Sequence, residues 1–193
     1  MRPAFMRPGA SNAATTGSSL PQRLGTRACK ALVVAPTARH WLETLVVGAI
    51  AGGAAYALGR RTGLFRPRAG PRPTLAAALI VLATPALGEE LLFRAALTPS
   101  RDEQRSDLAA ILPSTVAFTL WHVATALTIL PGARATFLRA DFLAIAALEG
   151  AVCGWLRRRT GSVWPGVALH WAEVMVWKTW LGGPSLGALT SRP

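Results

Sequence analysis

Glu89, Glu90 and Arg94 fall within six positions of an otherwise apolar stretch, and His122 and His170 fall inside two later apolar stretches. A charge at the centre of a bilayer costs about 2.5–3.5 kcal/mol by insertion scales, so such groups need partners or a water-filled cavity. Glu90 and Arg94, four residues apart, can pair along one helix face. Glu89 is then left over. A carboxylate held beside charged neighbours in an apolar bundle is what a general base requires. A lone imidazole in such a stretch reads first as a hydrogen-bonded packing residue, so the question is whether the three groups share one depth.

Five apolar runs must position them. The first spans Trp41 to Leu58, with Gly48, Gly52 and Gly53 suited to close helix packing in lipid. The second runs from about Thr74 to Leu97, kinked at Pro85 and carrying Glu89, Glu90 and Arg94 in its second half. Pro113 is suited to be the first helical residue of the third, which ends at Pro131-Gly132. The fourth covers about Asp141 to Leu156, stopped by Arg157, Arg158, Arg159 and Gly161. The fifth is capped by Ser162, has Pro165 in its first turn and ends near Gly182-Gly183-Pro184. At 1.5 Å per residue, Glu89 lies roughly 12–13 Å before Leu97, His122 roughly 13–14 Å after Pro113 and His170 roughly 10–12 Å after Ser162. Alternating spans put these three ends on one membrane side, so the three side chains can share a layer. The expected architecture is all-α, a polytopic membrane helix bundle of about five transmembrane spans.

The composition agrees. The 193 residues are 51% hydrophobic yet carry a formal net charge of +12, and the basic residues sit in blocks between the apolar runs. Clustered arginine would also suit nucleic acid, but a soluble nucleic-acid module would have to fold away several segments of spanning length, so no nucleic-acid partner is expected. Residues 1–39 hold no Asp or Glu but include Arg2, Arg7, Arg23, Arg27, Lys30 and Arg39, with Ser, Thr, Gly and Pro between them; they read as a basic, disordered tail preceding a bundle at 40–185. Tail and basic loops suit contact with anionic lipid. Cys29 and Cys153 form neither a disulfide framework nor a metal-binding pair. Most tryptophans read as belt and packing residues.

Glu89-Glu90-Leu91-Leu92-Phe93-Arg94 resembles the EExxxR motif of the CPBP proteins, the CAAX-type prenyl endopeptidases and bacteriocin-processing membrane proteins. Phe118 to His122 resembles their FxxxH motif, and Ser162-Val163-Trp164-Pro165 leading to His170 resembles the approach to their third. The likeness covers about residues 74–182. It implies a glutamic-type intramembrane endopeptidase with no cofactor or metal, in which Glu89 activates water, His122 assists it and His170 stabilises the tetrahedral oxyanion. Glu90, Arg94 and Phe118 are then supporting residues. The family's polar residue four positions after the late histidine is here Val174. Glu173 is no substitute, because an ionised carboxylate is only an acceptor. Glu149 reads as a packing or cavity-lining acid.

Two rivals stand beside this reading. Glu89, His122 and His170 also make a two-His, one-carboxylate zinc set, though without an HExxH motif. A non-catalytic immunity or scaffold protein of the same fold would explain Val174 but not the retention of so many costly polar groups. The expected partner is a membrane-associated protein or peptide substrate. The expected location is the bacterial inner membrane, multi-pass, with a cytoplasmic tail.

Overall fold

The computed structural model describes residues 19–68, 73–103 and 106–191. Among them are eight α-helices and no strand: α1 (Leu20–Val33), α2 (Ala38–Arg61), α3 (Leu75–Val81), α4 (Asp107–Thr128), α5 (Arg134–Phe137), α6 (Ala140–Thr160), α7 (Trp164–Trp180) and α8 (Leu186–Thr190). Without a break α3 continues into a π-helical segment, Leu82–Ala96. Three units are long and apolar enough to cross a membrane, namely α2, the run Leu75–Glu103 and α4. The other two expected spans are helices too: α6 packs along α4, α2 and α7, although its 21 residues include Asp141, Glu149 and three arginines, and α7 has 17 residues. The protein is an all-helical, multi-pass membrane bundle.

The expected disordered tail over 1–39 is corrected in its second half. Its first 18 residues lie outside those described, whereas residues 20–33 form α1, which packs on the π-helical segment. The helix starts where the Ser19 N–H donates to Gln22 Oε1 (2.9 Å). Ala28, Ala31 and Leu32 then join Ala86, Ala95, Val163 and Val167 in one apolar cluster. At its far end, the carbonyls of Ala31 and Leu32 accept from the Val163 N–H (3.0 Å) and Trp164 Nε1 (2.9 Å), so α1 is tied to the start of α7. Arginine, glycine and threonine interleave with this narrow stripe, which hides it from a composition-based reading.

A second correction concerns Pro113, which lies inside α4. Ser106 caps that helix by accepting the Ala109 N–H (3.2 Å), and Asp107 favours the positive end of its dipole. The expected end of α6 is met at Gly161, whose φ of +72° is the left-handed conformation that glycine enters freely.

The π-helical segment is the unusual element, since such geometry is ordinarily confined to single turns at functional sites. Pro85 lies near its start and removes one helical donor. The i to i−5 pattern is still seen at its end, where the Leu97 N–H donates to the Leu92 carbonyl (3.1 Å). Just beyond, Arg158 donates to Asp107 (2.6 Å) and to the carbonyls of Pro99 (2.9 Å) and Ser100 (3.1 Å), fixing the loop into α4 from α6. On the other flank of α6, Arg159 grips Glu43 of α2 through two hydrogen bonds of 2.9 Å.

Candidate active site

Helical periodicity aims four elements at one interior point. On α6, Phe142, Ala146, Glu149 and Cys153 recur at intervals of four, three and four, the inward stripe of an amphipathic helix. On α7 and its N-cap the same spacing brings Val163, Val167 and His170 inward, and α4 buries Ser114, Thr115 and Phe118. The π-helical segment buries Glu90, Phe93 and Arg94.

His170, 3% exposed, is the hub. Its Nδ1 lies 3.3 Å from Glu90 Oε1, with hydrogen-bond geometry, and 3.4 Å from Glu149 Oε1. Its Nε2 lies 3.9 Å from Glu89 Oε2. Glu89 Oε1 accepts from Trp121 Nε1 at 3.1 Å, while Oε2 is buried and has no hydrogen-bond partner. Glu90, fully buried, is 3.4 Å from Arg94 Nη1, and the Arg94 guanidinium lies 3.9 Å from the centre of the Phe118 ring. That ring face attracts the cation and takes the place of hydrogen bonds that the three guanidinium nitrogens do not make. Glu173 is within electrostatic reach of Glu149, His170 and Glu90.

Close approach of α7 to the π-helical segment depends on Gly166. A Cβ at that position would sit 2.6 Å from Glu90 Oε2, well inside van der Waals contact. The backbone at 166 therefore occupies the space beside the buried carboxylate.

The histidine of the FxxxH motif has a different setting. His122 Nδ1 lies 3.0 Å from the Phe118 carbonyl, and its ring stands edge-on to Phe118, Phe137 and Phe142 at centroid distances of 4.8, 5.3 and 5.3 Å. The residue that touches Glu89 from α4 is its neighbour, Trp121. Phe118 joins the two histidines, since its ring is also edge-on to His170 at 5.9 Å. Among the described residues no three His, Cys, Asp or Glu side chains converge as a metal-holding group.

Glu89, Glu90, Arg94, Phe118 and His170 are thus in one cluster, with His122 behind Phe118. The sequence reading undervalued Glu149, whose signal was its place in the inward stripe of α6, and Trp121, which had looked like a belt residue.

The sequence profile of the type II CAAX prenyl endopeptidases, Rce1-like, matches residues 71–176. The chain belongs to that family. No curated protein and no solved structure matches it. Every member of the cluster lies inside the matched region, whereas α1 and α2 lie outside it. The Rce1-like family is a protease family, which implies a peptide substrate in or near the membrane.

Proposed function

We propose that this Rce1-like protein is a glutamic-type intramembrane endopeptidase in which Glu89 is the general base. The observation that carries this is the division of labour within the Glu89 carboxylate: Oε1 is held by Trp121, and the buried, unpartnered Oε2 is 3.9 Å from His170 Nε2. Two polar atoms at that separation can both hydrogen-bond to one water at about 2.8 Å each. Glu89 takes a proton from that water as its oxygen bonds to the scissile carbonyl carbon. The carbonyl π-electrons move to oxygen, giving the tetrahedral oxyanion. When the oxyanion collapses, the C–N bond breaks and the proton held by Glu89 passes to the leaving amine, leaving an acid and an amine.

His170 is suited to the oxyanion. Carboxylates at its Nδ1 edge favour the ring carrying a second proton at Nε2, as the aspartate does for the histidine of a serine-protease triad. The resulting Nε2–H is a donor toward the developing charge. Glu90 and Arg94 hold the cluster together as a buried pair. His122 assists from behind Phe118: if Nδ1–H donates to the Phe118 carbonyl, Nε2 is kept as an acceptor. The substrate is a membrane-associated protein or peptide. Anionic lipid at the basic loops and a bacterial inner-membrane location complete the reading.

Glu89→Gln keeps the side-chain shape and cannot take the proton. Cleavage of a membrane-anchored peptide by the reconstituted full chain should fall by about 100- to 10,000-fold, the usual range for a general base, with an unchanged melting temperature. Full cleavage by this variant would overturn the assignment. Metal analysis of the same preparations tests the zinc rival, which requires about one zinc per chain, lost to chelators together with activity.

A further inference from the structure

Two carboxylates from different helices approach the same nitrogen of His170, and the mechanism above needs only one of them. Glu90 Oε1 accepts from Nδ1 at 3.3 Å. Glu149 Oε1, on α6, is 3.4 Å from the same atom and, though buried, has no hydrogen bond of its own. Glu149 is the one carboxylate in the inward stripe of α6, beside Phe142, Ala146 and Cys153 at 8%, 4% and 0% exposure. A stripe serving only to pack would be apolar there, because an unpaired carboxylate in a membrane interior is destabilising. The position one turn after His170 on α7 is Val174, so that helix offers no polar side chain there to steady the imidazole.

We propose that Glu149 is a positioning residue which, together with Glu90, clamps the Nδ1 edge of His170 between α6 and the π-helical segment and so turns Nε2 toward Glu89. One Nδ1–H donates to one carboxylate at a time, and the second acceptor lies close enough to take it over. Rotating the ring by half a turn would exchange Nδ1–H for Cδ2–H at the carboxylates and Nε2 for Cε1–H at Glu89, losing both contacts. With acceptors on both sides of Nδ1, small displacements of either helix leave the ring in place. The role rests on the reading of Glu89 and His170 as the reacting pair.

The test is nitrogen-15 NMR of histidine-labelled full chain in lipid nanodiscs, alongside cleavage kinetics. The chain has three histidines, so His40→Gln and His122→Gln spectra assign the His170 signals. Wild type should show a protonated Nδ1. Glu149→Gln retains an acceptor oxygen, so its His170 signals should stay near wild type, with a loss in kcat below about tenfold. Glu149→Leu should broaden or shift the Nδ1 signal and lower kcat by about 10- to 100-fold at constant KM, as for outer partners that orient a histidine. Glu173→Gln removes a nearby carboxylate that does not touch Nδ1, and His170 should keep its wild-type spectrum. Unchanged His170 signals in Glu149→Leu would overturn the proposal, as would an equal shift in Glu173→Gln, which would show a diffuse charge effect. A His170 signal that responds to Glu149→Leu but not to Glu173→Gln, in a protein that cleaves nothing, supports the clamp and refutes the proteolytic reading alone.

Discussion

His170 and His122 stand on two sides of the Phe118 ring, and their surroundings could hardly differ more. The first is ringed by charge, with Glu89, Glu90 and Glu149 at 3.9, 3.3 and 3.4 Å. The second sits among Phe118, Phe137 and Phe142, with a backbone carbonyl as its polar contact. An imidazole beside carboxylates can change its proton state while the field of its neighbours compensates. An imidazole in an aromatic box lacks that compensation. The carboxylate side is therefore where charge can develop, and the aromatic side excludes water and fixes geometry.

Of the substitutions that break this contrast, the one at His170 has the largest expected effect. His170→Ala removes the donor facing Glu89 and should lower kcat by about 100- to 1,000-fold, the cost of a lost oxyanion donor. His122→Ala should lower kcat by less and also lower the melting temperature, because a cavity opens among three phenylalanines. Kinetics and thermal unfolding of both variants measure the difference. Equal losses of kcat at equal stability would erase the distinction between the two sides.

A second contrast lies between two glycines. At Gly166 an added Cβ meets Glu90 Oε2 at 2.6 Å, whereas at Gly150 its nearest contacts are Phe118 and Thr115 at 3.2 Å and Arg94 at 3.5 Å. Glu90 is held from three sides, so Gly166→Ala must push α7 away or displace the carboxylate. We expect a stability loss of about 1–3 kcal/mol and reduced cleavage. Gly150→Ala should be milder. Unfolding of the two variants in the same detergent ranks them, and the reverse order would mean that Glu90 moves more freely than its burial indicates.

Sequence periodicity made the bundle and most of the cluster legible. Glu89, Glu90 and Arg94 drew attention through their cost in an apolar run, and the depth argument brought His170 to them. What it could not supply was azimuth. Depth puts His122 level with Glu89, but rotation about α4 turns Trp121 toward the carboxylate and His122 into the aromatics. A π-helical segment also shifts each residue's direction from that of an α-helix, so an α-helical wheel misplaces residues between Leu82 and Ala96. Helix α1 escaped because its apolar stripe is narrow, and Pro113 misled because Ser106 supplies the stronger start signal.

The smallest expected effect probes how finely the aromatic side tunes the charged one. Trp121 Nε1–H, donating to Glu89 Oε1 at 3.1 Å, leaves Oε2 for the reaction. Trp121→Phe preserves most of the apolar bulk and deletes that donor. A hydrogen bond to a charged group contributes about 1.5–3 kcal/mol, but Trp121 is 37% exposed, so water can replace part of it. The expected result is a fall in kcat of about tenfold, since 1.4 kcal/mol is a factor of about 10, with KM unchanged because the substrate keeps its contacts. A Trp121→Phe variant with wild-type kcat would mean that Glu89 is oriented from the His170 side alone, and that the aromatic half contributes shape without steering the base.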